Sequence, residues 1–375
     1  MKSITPLRTA SMLALALGLA FNTFGQPTYS ITDLGTLGGS SSYAYGINNS
    51  GQIVGSADTG GGAEHAFLYS AGVMGDLGTL GGPGSIANGI NNSGQVVGWS
   101  QTAGGLNHAF LYDGGPISEL GNLNGSYSQA YAINNSGQIV GGDGDNHAFL
   151  YSSSGVISGL GTLGGTQSQA EGINDNGQIV GWCYTAGNTA THAFLYNGGV
   201  MSDLGTLGGP YSFGHGINNS GQVVGDAFTA GGEEHAFLYS GGVMSDLGTL
   251  GGSGSDAYGI NNSGLVVGSA ETAGAAEHAF LYSGGVMSDL NNYISSGSGW
   301  TLADANAIND NGQIVGYGTN PEGQSEAFLL TPIPEPSPNM LLAFGGAVLL
   351  CVTRFRFVGN TRPVGRHQRE HDLAH

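Results

Sequence analysis

Six histidines stand at one register of this chain, His65, His108, His147, His192, His235 and His278, each followed by Ala-Phe-Leu-Tyr. Imidazole is a common ligand for zinc and copper, so six of them in matched settings invite a metal-centre reading. A tetrahedral ion, however, gathers its ligands at about 2 Å. Equivalent positions in successive repeats are too far apart to share one ion. The expectation is structural: each His opens a strand and hydrogen-bonds a neighbouring unit or a turn. No metal site is expected from this set.

Asn-Asn-Ser-Gly recurs ahead of each Gln-[Ile/Val]-Val-Gly or its Leu265 variant, with Asn-Asp-Asn-Gly at 174–177 and 309–312. A calcium loop needs several carboxylates and a bidentate Glu. Here only Asp175 and Asp310 are acidic, and tight-turn chemistry accounts for the rest. No cofactor is expected, and calcium enters only as weak binding by an acidic surface. Leu-Gly-Thr-Leu-Gly-Gly has neither a Lys nor a following helix, so it is no phosphate loop. Neither Gly-x-Ser-x-Gly nor His-Glu-x-x-His occurs. Glu233 and Glu234 fall on a variable link and read as solvated. Cys183, beside Trp182, reads as a packed side chain, because no Lys or Arg is near in sequence to lower its pKa. The second cysteine, Cys351, lies in an apolar tail, so the body has no intramolecular disulfide.

More informative are two places where otherwise alike repeats differ. Two residues before a repeated Ile stand Tyr45, Asn88, Tyr131, Glu171, His215, Tyr258 and Asn306. Directly after the Val-Gly stand Ser56, Trp99, Gly142, Trp182, Asp226, Ser269 and Tyr317. A constant scaffold with varying side chains is where recognition can reside. Aromatic rings among polar groups suit stacking on sugars. The candidate ligand-binding residues are therefore Tyr45, Tyr131, Glu171, His215, Tyr258, Trp99, Trp182 and Tyr317, and no catalytic residue is assigned. A polysaccharide-cleaving alternative would draw on Glu171, His215 or Asp226.

The elements that hold these residues follow from the repeat. Ile47, Ile90, Ile133, Ile173, Ile217, Ile260 and Ile308 mark seven units. The step between them is about 43 residues, a period typical of repeat architectures. Each unit carries four short strand signals; in the first these are Ala44–Asn48, Gln52–Ala57, His65–Ser70 and Val73–Gly78. A fourth-strand segment, Asp-Leu-Gly-Thr-Leu-Gly-Gly or a variant, closes each unit. Four antiparallel strands in about 43 residues, repeated, predict an all-β, seven-bladed β-propeller. A spare fourth strand precedes the first Ile (Tyr29–Gly35), and the last unit lacks one after Leu330. The N-terminal strand is thus expected to close the ring. The alternative is a β-solenoid, whose ends would stay unpaired.

Charge excludes one class of function. All seven Lys and Arg lie at the chain ends, and of the 26 acidic residues only Glu335, Glu370 and Asp372 fall outside 27–332, which gives that span a charge of −23. A body of that sign repels phosphate backbones, so nucleic acid is not a partner. Gly is 72 of 375 residues but shows no triplet period, which excludes collagen and places the glycines at turns. Residues 1–25 read as a signal peptide, with Lys2 and Arg8 before the apolar run 12–21. The propeller body is expected over 26–332. The tail, 333–375, has a stiff Pro-rich start, an apolar run over 340–352, and Arg354 and Arg356 behind it.

His-Ala-Phe-Leu-Tyr preceded by Ile-Asn-x-x-Gly-Gln-[Ile/Val]-Val-Gly resembles the extracellular HAF-repeat family over residues 31–330. Pro334-Glu335-Pro336, the apolar run and the arginines resemble a PEP-CTERM sorting signal. The second resemblance implies a Gram-negative exporter, with an exosortase-type enzyme cutting near Pro334–Pro336 and 340–352 engaging the membrane. It implies delivery to the cell surface or the exopolysaccharide matrix. The chain continues well past Arg356, from Phe357 to His375, further than such tails do. Together these features lead to the expectation of an exported, monomeric, non-enzymatic interaction module associated with exopolysaccharide or surface proteins. The alternative is a propeller lyase or glycosidase acting on extracellular polysaccharide.

Overall fold

The repeated Asn-x-x-Gly is a hairpin turn whose first Asn satisfies its own backbone. In the computed structural model, which describes residues 29–121 and 127–334, Asn48 Oδ1 accepts the N–H groups of Ser50 and Gln52, both at 3.0 Å. Gly51 takes the positive φ (77°) that closes the turn. The turn joins strands Gly38–Ile47 and Ile53–Thr59, and Glu64–Ser70 and Val73–Asp76 complete an antiparallel set. The signal peptide, Glu335, Pro336, the apolar tail segment, Arg354 and Arg356 lie outside the described residues. Pro334 is described, and exposed.

The first strand starts earlier than expected. Asp-Leu-Gly-Thr-Leu-Gly-Gly does not lie wholly in a fourth strand. That strand ends at its Asp (Asp76, Asp203, Asp246), and the last two glycines open the first strand of the next unit. The break sits at Gly78, where a positive φ (74°) stops the pairing. The Gly78 N–H donates to Asp76 Oδ1 at 2.7 Å.

The pairings form five separate four-stranded sheets and one of eight strands, where seven separate sheets were expected. The larger one arises because a single parallel pair, Thr191 with Tyr211, joins Thr191–Asn197 to Gly208–Ile217. The N-terminal strand Tyr29–Asp33 pairs antiparallel with Ser325–Pro332, from Tyr29 opposite Pro332 to Asp33 opposite Phe328. The two ends of the repeat therefore meet, which excludes an open solenoid. The fold is an all-β propeller.

Its interior lies between neighbouring sheets. The Phe of each His-Ala-Phe unit is essentially excluded from solvent, as is Phe328 in the last. Phe67 packs with Leu34, Ala44 and Ile53 and with Val315 and Ala327 of the seventh unit, so the same kind of cluster bridges first and last units. The second-strand glycine leaves no choice of residue: a Cβ on Gly55, Gly98, Gly141, Gly181, Gly225, Gly268 or Gly316 would sit 1.9 Å from a carbonyl oxygen of the first strand. Serines staple adjacent units. Ser85 Oγ accepts the Ala66 N–H at 2.9 Å and donates to Gly78 O at 2.7 Å, and Ser42 Oγ accepts the Ala327 N–H across the closure at 2.9 Å.

Around the turns, the amides of Asn48, Asn91, Asn134, Asn174, Asn218, Asn261 and Asn309 each donate to the carbonyl of the next, and Asn309 returns to Asn48, all at 2.9–3.2 Å. A parallel circuit runs through the second Asx of each turn, whose side-chain oxygen accepts a backbone N–H of the preceding unit at 2.8–3.0 Å. The long insert of the last unit is ordered: Leu290–Asn292 is a 3-10 turn, Tyr293 and Ile294 are buried, and Tyr293 O accepts the Tyr29 N–H at 2.9 Å. Among the described residues no helix is long and apolar enough to cross a membrane.

Candidate functional site

Every first strand carries a β-bulge, and the bulged residue is the first of the two variable positions. Pairing slips between Ala44 and Gly46, leaving Tyr45 unpaired. The same slip isolates Asn88, Tyr131, Glu171, His215, Tyr258 and Asn306. A bulge re-aims a side chain without changing the frame around it. All seven side chains are half-buried, and neighbours interact around the ring. Asn88 donates to Ala130 O at 2.8 Å and Asn306 to Ala44 O at 2.9 Å. The rings of His215 and Tyr258 stand 5.8 Å apart.

The second variable position sits beside the first on the adjacent strand. His215 Nε2 meets Asp226 Oδ1 at 2.7 Å, Glu171 bonds with Trp182, and Tyr45 and Tyr258 lie against Ser56 and Ser269. Trp182 also makes an edge contact with Phe213 at 6.2 Å, and Tyr317 with Tyr43 at 5.0 Å. Trp99 is half-buried opposite Ile86. Tyr131 bonds Gln129. The structure thus gathers Glu171, Trp182, His215 and Tyr258 in one arc, with Tyr45 and Tyr317 beside each other across the closure. Tyr131 adjoins Glu171 at the edge of that arc, and Trp99 stands apart.

Two further columns went unnoticed in the sequence. The residues directly opposite the second position (Tyr43, Ile86, Gln129, Gln169, Phe213, Asp256 and Asp304) also break the repeat, and so do those just before the His, including Glu64, Glu234 and Glu277. The signal that found the first two columns was present in these as well. Glu234 corrects an expectation: only Glu233 belongs to the solvated link, where the Thr229 hydroxyl bonds it at 2.9 Å. Glu234 begins strand Glu234–Ser240 and lines a cleft of about 570 Å³ with Asp256, Ser269, Glu271 and Glu277.

Carboxylates dominate this arc, and no Lys or Arg stands anywhere in the body to balance them. Burial first, then Asp226 and Asp256, push Glu234 up to about 7. Burial and the Asp226 charge raise Asp256 to about 6, and burial with Glu277 raises Asp304 to about 7. Glu171 is raised by burial despite His215. Burial opposes the His215 cation, but the hydrogen bond and charge of Asp226 outweigh it and raise His215. The hydroxyls of Tyr131, Tyr258 and Tyr317 are raised by burial and by nearby carboxylates, so they remain donors.

The repeated histidines form no metal centre among the described residues. Their partners differ from the expected neighbouring unit or turn. Nδ1 of His65, His108, His192, His235 and His278 meets the acid that ends the fourth strand of its own unit, Asp76, Glu119, Asp203, Asp246 and Asp289, at 2.7–2.9 Å. The third unit has Gly159 at that place, and His147 lies instead 3.9 Å from Asp143. The last unit has Glu326 for His, facing Asp33 of the closing strand. Burial and Asp33 together push Glu326 to about 7. Cys183 is buried and its thiol raised by burial, consistent with packing. The Asx turns frame a polar recess of about 240 Å³.

No protein-family model matches the chain, and no curated protein does. Solved structures do. YCF48 bound to D1 peptide is similar over 83% of this chain and 99% of that one, with 10% identity and a TM-score of 0.50. A putative TolB from Agrobacterium tumefaciens matches 83% of this chain and 100% of its own, at 13% identity and a TM-score of 0.43. An acylaminoacyl peptidase of Pyrococcus horikoshii matches 78% and 52%, at 10% identity and 0.46. At such identities the likeness to YCF48 shows the fold alone, which is the propeller.

Proposed function

We propose that this chain is an exported, non-enzymatic, seven-bladed propeller of the HAF-repeat kind, acting as a monomeric interaction module that binds exopolysaccharide at the cell surface or in the extracellular matrix. The eight-stranded sheet counts as two blades, and the asparagine circuit through seven turns supports that count. One observation carries the reading: an unvarying frame aims seven different side chains from seven bulges, with a second variable set beside them. A frame repeated for stability alone has no need of bulges filled by Tyr, Glu, His and Asn in turn. The net charge of the body disfavours polyanions, so the ligand is an uncharged sugar polymer that stacks on Tyr and Trp. Export, sorting at Pro334–Pro336 and delivery to the envelope rest on the two targeting ends and their resemblance to a signal peptide and a PEP-CTERM signal.

The test is binding of the purified chain to neutral bacterial exopolysaccharide by calorimetry, with Trp99→Ala and Tyr258→Ala as variants. Each variant is expected to weaken binding about tenfold, the scale of one lost aromatic contact. No binding to any neutral polymer would overturn the ligand assignment. Release of new sugar ends, abolished by Glu171→Gln, would overturn the non-enzymatic reading in favour of a lyase or glycosidase.

A further inference from the structure

Among the described residues, one set of three acidic side chains brings ligand atoms together: carboxylate oxygens of Asp226, Glu234 and Asp256 all lie within 4.8 Å of one another. Oxygens bound to one calcium ion at about 2.3–2.6 Å can be at most about 5 Å apart. The three oxygens are therefore close enough together to converge on one calcium ion. Two independent features point to an unfilled demand at the same place. Asp226 is 4% exposed; His215 holds its Oδ1 at 2.7 Å, and its Oδ2 has no donor facing it apart from the neighbouring Glu234 carboxyl. Ser269 is 1% exposed and lines the cleft, and its Oγ also has no partner within hydrogen-bond geometry, although the Tyr258 side chain lies against it. Buried polar atoms are rarely left without partners, and a bound ion is one of the few explanations.

We propose that Asp226, Glu234 and Asp256, on adjacent sheets of the fifth and sixth units, bind a calcium ion, with Ser269 Oγ beside them as a further oxygen. The donor set consists of hard oxygens, which favours calcium or magnesium over zinc or copper. Magnesium needs ligands at about 2.0–2.1 Å in near-octahedral array and keeps its waters, so a wide acidic cleft favours calcium. His215 is engaged by Asp226 and serves to orient that carboxylate, as imidazole–carboxylate pairs do around metal sites. Three carboxylates against one imidazole leave an excess negative charge that a dication offsets. Since the ligands come from two units, the ion also ties adjacent sheets together.

The experiment titrates the full chain with calcium chloride, following sensitised terbium luminescence, its displacement by calcium, and the melting temperature. A single saturable site is expected, with a Kd on the order of 0.1–1 mM, the range of extracellular calcium modules. At tenfold excess over Kd the melting temperature should rise by about 3 °C. Glu234→Gln and Asp256→Asn, both only half-buried, should each weaken binding at least tenfold. Glu64→Gln, the same strand position in the first unit, should leave it unchanged. No saturable binding, or equal weakening by Glu64→Gln, would overturn the site and leave only diffuse attraction to an acidic surface. Equal affinity for magnesium would overturn the assignment to calcium.

Discussion

Leu34 and Leu204 give a matched test of ring closure. Each follows the Asp that ends a fourth strand, donates its N–H to the Ala of its own sheet (Ala327 at 3.0 Å, Ala193 at 2.9 Å), and is 5% or 7% exposed. Each packs against the next unit: Leu34 on Ile53 and Phe67, Leu204 on Val223 and Phe237. The difference is connectivity, since Leu204 shares a hairpin with its acceptor whereas Leu34 reaches its own from the other end of the body. Truncating a buried Leu to Ala costs about 2–5 kcal/mol, the spread reflecting how far the cavity collapses. Near-identical surroundings place both variants at about 3 kcal/mol, or about 6 °C in melting temperature for a chain of this size. Urea unfolding of Leu34→Ala and Leu204→Ala, compared at equal slope, is the assay. Agreement within about 1 kcal/mol is expected, given ordinary context effects. If Leu204→Ala costs several kcal/mol while Leu34→Ala is near neutral, the N-terminal strand is not seated and the closed ring is refuted.

The other expectations concern single columns of the repeat. Asn174→Ala removes four hydrogen bonds at a 4% exposed position. It should destabilise by about 3–5 kcal/mol in urea unfolding, at about 1 kcal/mol per bond plus the groups left unpaired. Gly181→Ala places a Cβ 1.9 Å from Gln169 O and should abolish soluble folded protein, whereas Ala at Gly115, where a Cβ meets nothing, should leave circular dichroism and melting unchanged. Glu326 is raised from 4.5 to about 7 in the folded chain, so the native state binds its proton more tightly and stability should fall as pH rises through that window. Glu326→Gln, which carries no titrating proton at that place, should remove that fall, measured as melting temperature across the same window. Cys183 should resist alkylation in the native chain and react after unfolding, as mass spectrometry of its peptide would record.

Much of the frame was legible because repetition averages out local ambiguity. One copy of Gln-Ile-Val-Gly is a weak strand signal, but seven related copies at a near-constant step fix a four-stranded unit. The spare segment at Tyr29 then fixes which strands must meet. The extent of the first strand was hidden by its composition. Gly38, Gly39 and Ser40 carry no strand propensity. Gly38 pairs with Thr59, and across the irregularity that follows, Thr36 Oγ1 bonds Gly38 and Gly39 while Ser40 donates to Asp58. The histidine partners were hidden for another reason. An ion pair between the start of a third strand and the end of a fourth follows no helical or strand period, and only the exceptions reveal it. His147 lacks an acid where Gly159 stands, and Asp33 lacks a His where Glu326 stands.

The departures from the repeat are not spread evenly around the ring. In the first three units the variable columns hold mainly Tyr, Asn, Ser, Trp, Ile and Gln. In the fourth to seventh they hold Glu171, His215, Asp226, Glu234, Asp256, Glu277 and Asp304. Glu234 reaches Asp226 on its own sheet and Asp256 on the next, so this charge is pooled across units, and each carboxylate there raises its neighbours. A frame with near-exact repetition thereby concentrates its carboxylates in the fourth to seventh units, with Glu64 their one counterpart in these columns of the first three. Like charges buried this close stand against their mutual repulsion, where stability alone would favour the Ser, Asn and Gln found at the same positions elsewhere in the ring. Their gathering in one arc, around three buried oxygens without partners (Asp226 Oδ2, Ser269 Oγ and Asp304 Oδ1), is the physical reason to look for the ligand there and not at the repeated histidines that first attract attention.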